Sequence, residues 1–265
     1  MISTLNSQAL SRFSLLGDSK IGKIESKLED AIREYGVAHL TLFDPEKLTP
    51  PVALRLAKAA KKAGTTAAMV GGSTATSIYE LDAIVKAIKS TKLPVILFPN
   101  DVAGISQYAD AVFFMSLLNS INPYYLSGAQ ALGAPLVKRY RLEPIPLAYL
   151  IIGEHPGAAG FVGNANPIPN DKPELAAMYA LAAQYLGMRY VYLEAGSGAR
   201  ETVSPSLVKI VRGIAKIRIV VGGGIKTPAQ AQALVKSGAE LIVTGTIFEK
   251  ADSVRKLRKI IQSIH

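Results

Sequence analysis

Short runs of apolar, often β-branched residues alternate along the chain with longer segments in which apolar and polar positions are mixed. The runs are VAHLTLF (37–43), TAAMVGG (66–72), PVILFP (94–99), AVFFMSLLN (111–119), IPLAYLIIG (145–153), RYVYLEAG (189–196), IRIVVGGG (217–224) and ELIVTGT (240–246). Each is apolar almost throughout, as parallel strands buried on both faces require. The segments between them pattern as helices. In 51–63 (PVALRLAKAAKKA) apolar residues mark one face and lysines the other, with Gly64 as the stop. Pro173 opens PELAAMYALAAQYLG (173–187), which also closes on glycine, and TPAQAQALVKSGA (227–239) offers a threonine cap, a proline at the first helical position and a closing glycine. The segment after PVILFP is short and irregular, which predicts a third crossover without a full helix.

Eight strand–helix alternations are the count of a closed α/β TIM (β/α)8 barrel. An open doubly wound sheet is the alternative, but it would carry its glycine fingerprint after the first strand, and here the glycines cluster after the late ones. No linker or composition break divides the chain. Residues 1–36 form an N-terminal extension and 37–265 the barrel; within the extension, SKIGKIESKLEDAIREYG (19–36) patterns as one amphipathic helix suited to covering the barrel's base.

Composition narrows the chemistry. The 265 residues include no cysteine, so disulfides, thiolate metal sites and a cysteine nucleophile are excluded. That fits a reducing cytosol, and a cytoplasmic location is the expectation. The apolar fraction of 49% and charged fraction of 19% exclude a disordered chain. No apolar stretch approaches the roughly 20 residues that span a bilayer, and the first residues read as neither signal peptide nor anchor. The net charge of +10 either serves an anionic partner (nucleic acid, acidic lipid or phosphorylated metabolite) or is simply bulk surface charge, and charge alone does not choose among them.

In a barrel the chemistry belongs at the C-terminal ends of the strands. The sixth run ends in Glu194 and turns through Ala195, Gly196, Ser197 and Gly198; the seventh ends in Gly222, Gly223 and Gly224, and the eighth in Thr244, Gly245 and Thr246. Glycine turns at adjacent strand ends can aim backbone N–H groups at an anion, and phosphate sites in such barrels use the loops after strands seven and eight. The structural alternative is that they only make tight turns. Glu194, at the end of an apolar strand, either serves a substrate hydroxyl or forms a salt bridge, to Arg200 or a lysine. Asp44 follows the first run, and the second run ends in MVGGST (69–74), with Ser73 and a second hydroxyl at the same level. One carboxylate with hydroxyls is ordinary Mg²⁺ coordination when a substrate phosphate completes the shell; an Asp-Pro turn and a helix cap explain the same residues.

Other candidates are weaker. His39 lies inside the first strand and reads as structural; His155 and His265 have no spaced partners, so zinc is unsupported. No nucleophile elbow accompanies the serines. The basic segment 250–265 reads as a solvated helix face, and without tryptophan or aromatic–basic interleaving a nucleic-acid platform is not expected.

Taken together, HLTLFDPEK (39–47), MVGGST, PVILFP, FFMSLLN (113–119) with NPYY (122–125), PIPNDKPELAAMYALAAQYLG (167–187), YLEAGSGA (192–199), VGGGIKTP (221–228) and TGTIFE (244–249) resemble the geranylgeranylglyceryl phosphate synthase family, prenyltransferases of archaeal membrane-lipid synthesis with bacterial heptaprenylglyceryl phosphate synthases as relatives. The likeness runs in order from about residue 37 to 250. It implies a TIM-barrel enzyme that joins sn-glycerol 1-phosphate to geranylgeranyl diphosphate, or to a prenyl chain of another length, with Mg²⁺ as cofactor. By the same resemblance Tyr192, Leu193, Glu194, Ala195, Gly196, Ser197 and Gly198 contact glycerol phosphate, Gly223, Gly224, Gly245 and Thr246 cradle its phosphate, Asp44 and Ser73 hold the metal, and Glu194 is the catalytic group. A homo-oligomer is expected, as is peripheral contact with membrane lipid. Three features depart from the family pattern. Leu42 stands where some members carry lysine, leaving the cationic partners of the diphosphate unassigned. Phe161 stands where tryptophan is frequent, and FPND (98–101) replaces a more usual glycine turn. Ala158, Ala159 and Gly160 are candidate lining for the prenyl tail, or part of a lid. The rivals are a sugar-phosphate isomerase or aldolase, which needs a lysine or second acid at a strand end, and a non-catalytic phosphate-binding barrel.

Overall fold

The computed structural model describes residues 21–72, 77–245 and 253–265. Its strands are β1 (Ala38–Phe43), β2 (Ala67–Val70), β3 (Val95–Leu97), β4 (Ala111–Leu117), β5 (Glu143–Ile151), β6 (Tyr190–Glu194), β7 (Arg218–Gly222) and β8 (Leu241–Thr244). All neighbours pair in parallel and β8 returns to β1, closing an eight-stranded TIM barrel. Every expected run contributes a strand, usually shorter than the run; in the second, fifth, sixth and seventh runs the last glycines leave the ladder to make turns. β5 instead begins earlier than expected, taking in Glu143 and Pro144.

The apolar composition of the strands conceals two inward and outward sets. Leu40, Met69, Ile96, Phe113, Leu147, Tyr190, Tyr192 and Val220 fill the barrel. Their neighbours Val70, Val95, Val112, Ala148, Val191, Leu193, Ile219 and Ile242 face the helical jacket. Burial on both faces is what removed any polar alternation from the sequence.

The helices are α1 (Lys23–Tyr35), α2 (Pro50–Ala63), α3 (Ile78–Lys89), α4 (Ala129–Tyr140), α5 (Gly157–Val162), α6 (Pro173–Tyr185), α7 (Pro205–Ile214), α8 (Pro228–Lys236) and α9 (Ser253–Ile264). α8 opens on a full capping box: Thr227 Oγ1 accepts from the Gln230 N–H and the Gln230 side chain returns to the Thr227 N–H. The crossover between β3 and β4 holds only a short 3₁₀ turn, Val102–Gly104, so the expected gap in the jacket is present. A π-helical turn, Tyr124–Gly128, leads into α4. The loop read as lining or lid contains α5.

α1 closes the base. Ile24, Leu28 and Ile32 join the interior cluster, and its polar face is bolted to the strand starts. The Glu143 carboxylate accepts the N–H groups of Ile24 and Glu25 at 2.8 and 2.7 Å, compensating the positive end of the helix. Arg189 grips Glu25 with two bonds of 2.6 Å, and Arg218 bridges Glu29 and Glu240. His39 faces the jacket, its ring nitrogens meeting Thr65 Oγ1 at 2.7 Å and Thr244 Oγ1 at 3.0 Å. Burial drives its pKa down to about 3, so it is a neutral structural group, as expected.

Candidate active site at the mouth of the barrel

Because all strands run the same way, Asp44, Glu194, Gly223 and Gly245 surround one opening, each at or just beyond the C-terminal end of its strand. Ser73 and Thr246 lie outside the described residues.

Glu194 ends β6 pointing inward, beside Ile151 and Gly222 in the ladder. It is buried. Its Oε1 accepts the Gly196 N–H at 2.6 Å, and the Tyr192 hydroxyl donates to the same carboxylate. Burial pushes its pKa up, and these two hydrogen bonds oppose the rise without cancelling it. The salt bridge weighed as the structural alternative is absent among the described residues, and Arg200 is exposed. A carboxylate held dehydrated, oriented and without a cation is poised to take a proton.

The glycines around it are required by close approach. A Cβ on Gly222 would stand 2.0 Å from Tyr192 Oη, and one on Gly223 would stand 2.5 Å from Glu194 Oε1 and 2.6 Å from the Gly196 nitrogen. Gly196, Gly198, Gly223 and Gly224 all have positive φ, which side chains rarely adopt. Two left-handed turns therefore pack against the carboxylate, Gly196 and Gly224 buried and Gly223 half-buried; glycine turns of this kind can aim backbone N–H groups at an anion. Lys226 ties them together, donating to the Ala199 carbonyl at 2.8 Å. Ser197 and Gly198 are exposed at the rim. Leu193 and Ala195 are different: their side chains pack in the outer layer, directed away from the mouth. No side-chain contact with a ligand at the mouth is open to them, because alternate residues of a strand point to opposite faces.

Across the opening, Asp44 caps the turn Pro45–Lys47, accepting the Glu46 N–H at 3.2 Å, and its other oxygen is 3.5 Å from Lys47 Nζ. A Cβ on Gly72 would come within 2.8 Å of Asp44 Oδ1, so the end of β2 abuts the carboxylate. The Asp-Pro turn is thus real, yet the carboxylate keeps lone pairs free. Among the described residues no group of three or more His, Cys, Asp and Glu could enclose a metal ion. A single carboxylate suits Mg²⁺ only where substrate oxygens complete the shell.

One cavity reaches Glu194 and the Gly196–Ser197 turn from the end of β2; Asp44 and Gly223 stand just outside its lining. It holds about 1160 Å³ of empty space, counted out to its open mouth, and runs from Leu42, Gly71 and Gly72 past Phe98 and Tyr149 to Glu194, Gly196 and Ser197. It then leaves the barrel through the wall that lacks a crossover helix, between Ile105, Val112, Phe114, Gly133 and Val137, with Ala158, Ala159 and Val162 of α5 above. Beyond Glu194, Gly196 and Ser197, sequence patterning singled out Ala158 and Ala159 of this lining. Gly160 is buried outside the cavity. Asn100 and Asp101 also border it, from the FPND turn. The irregular third crossover was the signal that could have located the groove.

Fold and site together define a TIM-barrel enzyme with a glycine-lined rim, a dehydrated carboxylate and an apolar groove. The family known as the PcrB family matches residues 29–264, and the chain belongs to it. It is 53% identical over 248 residues to the geranylgeranylglyceryl phosphate synthase of Thermococcus kodakarensis, covering 93% of this chain and 97% of that one. It is 51% identical over 251 residues to the enzyme of the same name from Pyrococcus horikoshii, covering 94% and 98%. The crystal structure of (S)-3-O-geranylgeranylglyceryl phosphate synthase from Thermoplasma acidophilum, in complex with its substrate sn-glycerol-1-phosphate, superposes with a TM-score of 0.85 at 43% identity, covering 89% of this chain and 97% of that one.

Proposed function

We propose that this chain forms an ether bond between a hydroxyl of sn-glycerol 1-phosphate and the first carbon of geranylgeranyl diphosphate, releasing diphosphate. The observation that carries the reading is the position of Glu194, buried where the two glycine turns meet an apolar groove. Glycerol phosphate sits on the turns of Gly196–Gly198 and Gly223–Gly224, with Gly245 and Thr246 completing the cradle. Its hydroxyl then lies against Glu194, whose own donors, Tyr192 and Gly196, hold the carboxylate still. The prenyl tail lies in the groove, excluding water from the reacting carbon.

In the reaction the hydroxyl oxygen bonds to the allylic carbon, the carbon–oxygen bond to diphosphate breaks with its electron pair leaving on diphosphate, and the hydroxyl proton passes to Glu194. Asp44 with Ser73 would hold a Mg²⁺ ion, which stabilises the negative charge of the departing diphosphate. The aldolase alternative has little support: no lysine borders the cavity among the described residues, and Lys226 is engaged with backbone carbonyls. Self-association through α6 belongs to the same reading, supported by the outward apolar stripe of Leu175, Met178 and Tyr185. Among the described residues no helix is long and apolar enough to cross a membrane.

The test is incubation with Mg²⁺, labelled glycerol 1-phosphate and prenyl diphosphates of several lengths, followed by extraction into organic solvent. An acid-stable, extractable ether is expected. No product at any chain length would overturn the proposal.

A further inference from the structure

The charge of the surface is uneven. α2 carries Arg55, Lys58, Lys61 and Lys62 and no acidic residue. α9 carries Arg255, Lys256, Arg258 and Lys259, and again none. The two helices lie side by side, Leu257 and Ile261 of α9 packing in one outer layer with Leu56 and Ala60 of α2. All eight cations are exposed. Set against a net charge of +10 for the chain, most of its excess stands on this one wall. Among the described residues none of the eight is paired with a carboxylate; Lys61 alone is engaged, donating to the Thr91 carbonyl at 2.7 Å. Between Arg55, Lys58 and Lys62 the surface dips into a shallow depression bordered by Pro51, Leu54 and Ala59.

The cations of α9 occupy its first half, and its last turn has none. That placement opposes the helix macrodipole and costs the fold stability unless anions gather against it. Both helices begin at the mouth of the barrel, since α2 follows β1 and α9 follows β8. Like charge rules out a second copy of the same wall as the partner. Neither helix carries an aromatic residue on which a nucleobase could stack.

We infer that the α2–α9 wall is a docking surface for an anionic lipid bilayer. The choice of lipid rests on the proposed function, whose product has an anionic head and a long apolar tail and so partitions out of water. Basic side chains near an anionic leaflet each strengthen binding roughly fivefold, and salt removes the effect.

The full chain is sedimented with vesicles of phosphatidylcholine alone and of phosphatidylcholine mixed with phosphatidylglycerol, at low and high salt. Binding is expected only to the mixed vesicles and only at low salt. It should fall by roughly fivefold or more in Arg55→Gln/Lys58→Gln/Lys62→Gln, and likewise in Arg255→Gln/Lys256→Gln/Arg258→Gln/Lys259→Gln. Lys209→Gln/Lys216→Gln, which removes two exposed cations elsewhere, should bind as the parent does. Equal binding to neutral vesicles, undiminished binding by the wall variants, or tighter binding to duplex DNA than to mixed vesicles would each overturn the inference. Ether formation from detergent-dispersed substrates is measured separately and should be unchanged in the wall variants. Vesicle binding that persists in a chain making no ether upholds the surface and removes the synthase reading alone.

Discussion

Glu194 accepts two hydrogen bonds, has no cation beside it among the described residues and is buried against Tyr149 and Tyr192. Desolvation raises its pKa, so turnover should fall as pH drops through a value above that of an ordinary carboxyl. Glu194→Gln should abolish that acidic limb and lower turnover by roughly 10²–10⁴, while calorimetry still registers glycerol-phosphate binding. Turnover equal to the parent would remove Glu194 from the mechanism. Gly222 makes this carboxylate possible by leaving room for the Tyr192 hydroxyl. Gly222→Ala must displace the ring, and we expect a loss of about 1–3 kcal/mol in denaturant unfolding together with a fall in turnover. Both residues were visible in the sequence as an acid and a glycine run, because a strand end and its turn are local. The direction of neighbouring side chains was not: strands apolar on both faces give no sign that Tyr192 faces the mouth while Leu193 faces the jacket.

At the scale of elements, α1 is fastened by charge at its polar face. Arg189→Met leaves Glu25 buried without its partner and should cost about 3 kcal/mol; adding Glu25→Met should recover most of it, as a double-mutant cycle would reveal. On the far side of β1, His39 couples that strand to β8 and to the loop after α2. Its folded-state pKa of about 3 lies below its ordinary value of 6.5. Between those values the unfolded chain takes up a proton that the folded chain refuses. Stability is therefore fully present above pH 6.5 and declines as pH falls toward 3, by up to about 1.4 kcal/mol per pH unit. Chemical denaturation between pH 7.5 and 5 should follow this slope, and His39→Gln should flatten it. The helix expected within 19–36, observed as Lys23–Tyr35 with residues 1–20 outside the described residues, and the structural role of His39 were both readable from pattern. The helix inside the loop 153–165 was not, since glycines and a proline suppress the helical signal there.

For the whole molecule, what matters is that the cavity has two ends. Asp44 stands across the mouth from the glycine turns, so its effects should separate from theirs. Asp44→Asn should raise the Mg²⁺ and prenyl diphosphate concentrations needed for half-maximal turnover while leaving glycerol-phosphate affinity in calorimetry unchanged. A parallel loss of glycerol-phosphate affinity would place Asp44 at the other end. The sequence by itself determined the barrel, its eight strands, the missing third helix and the place of Asp44, Glu194, Gly223 and Gly245 at strand ends, because each is written in the composition and spacing of a contiguous segment. The closed sheet alone decided that Phe98, Val112, Gly133, Tyr149 and Val162, far apart along the chain, border one groove that meets Glu194. A cavity is the space left between elements, and no single segment carries a record of what faces it across that space.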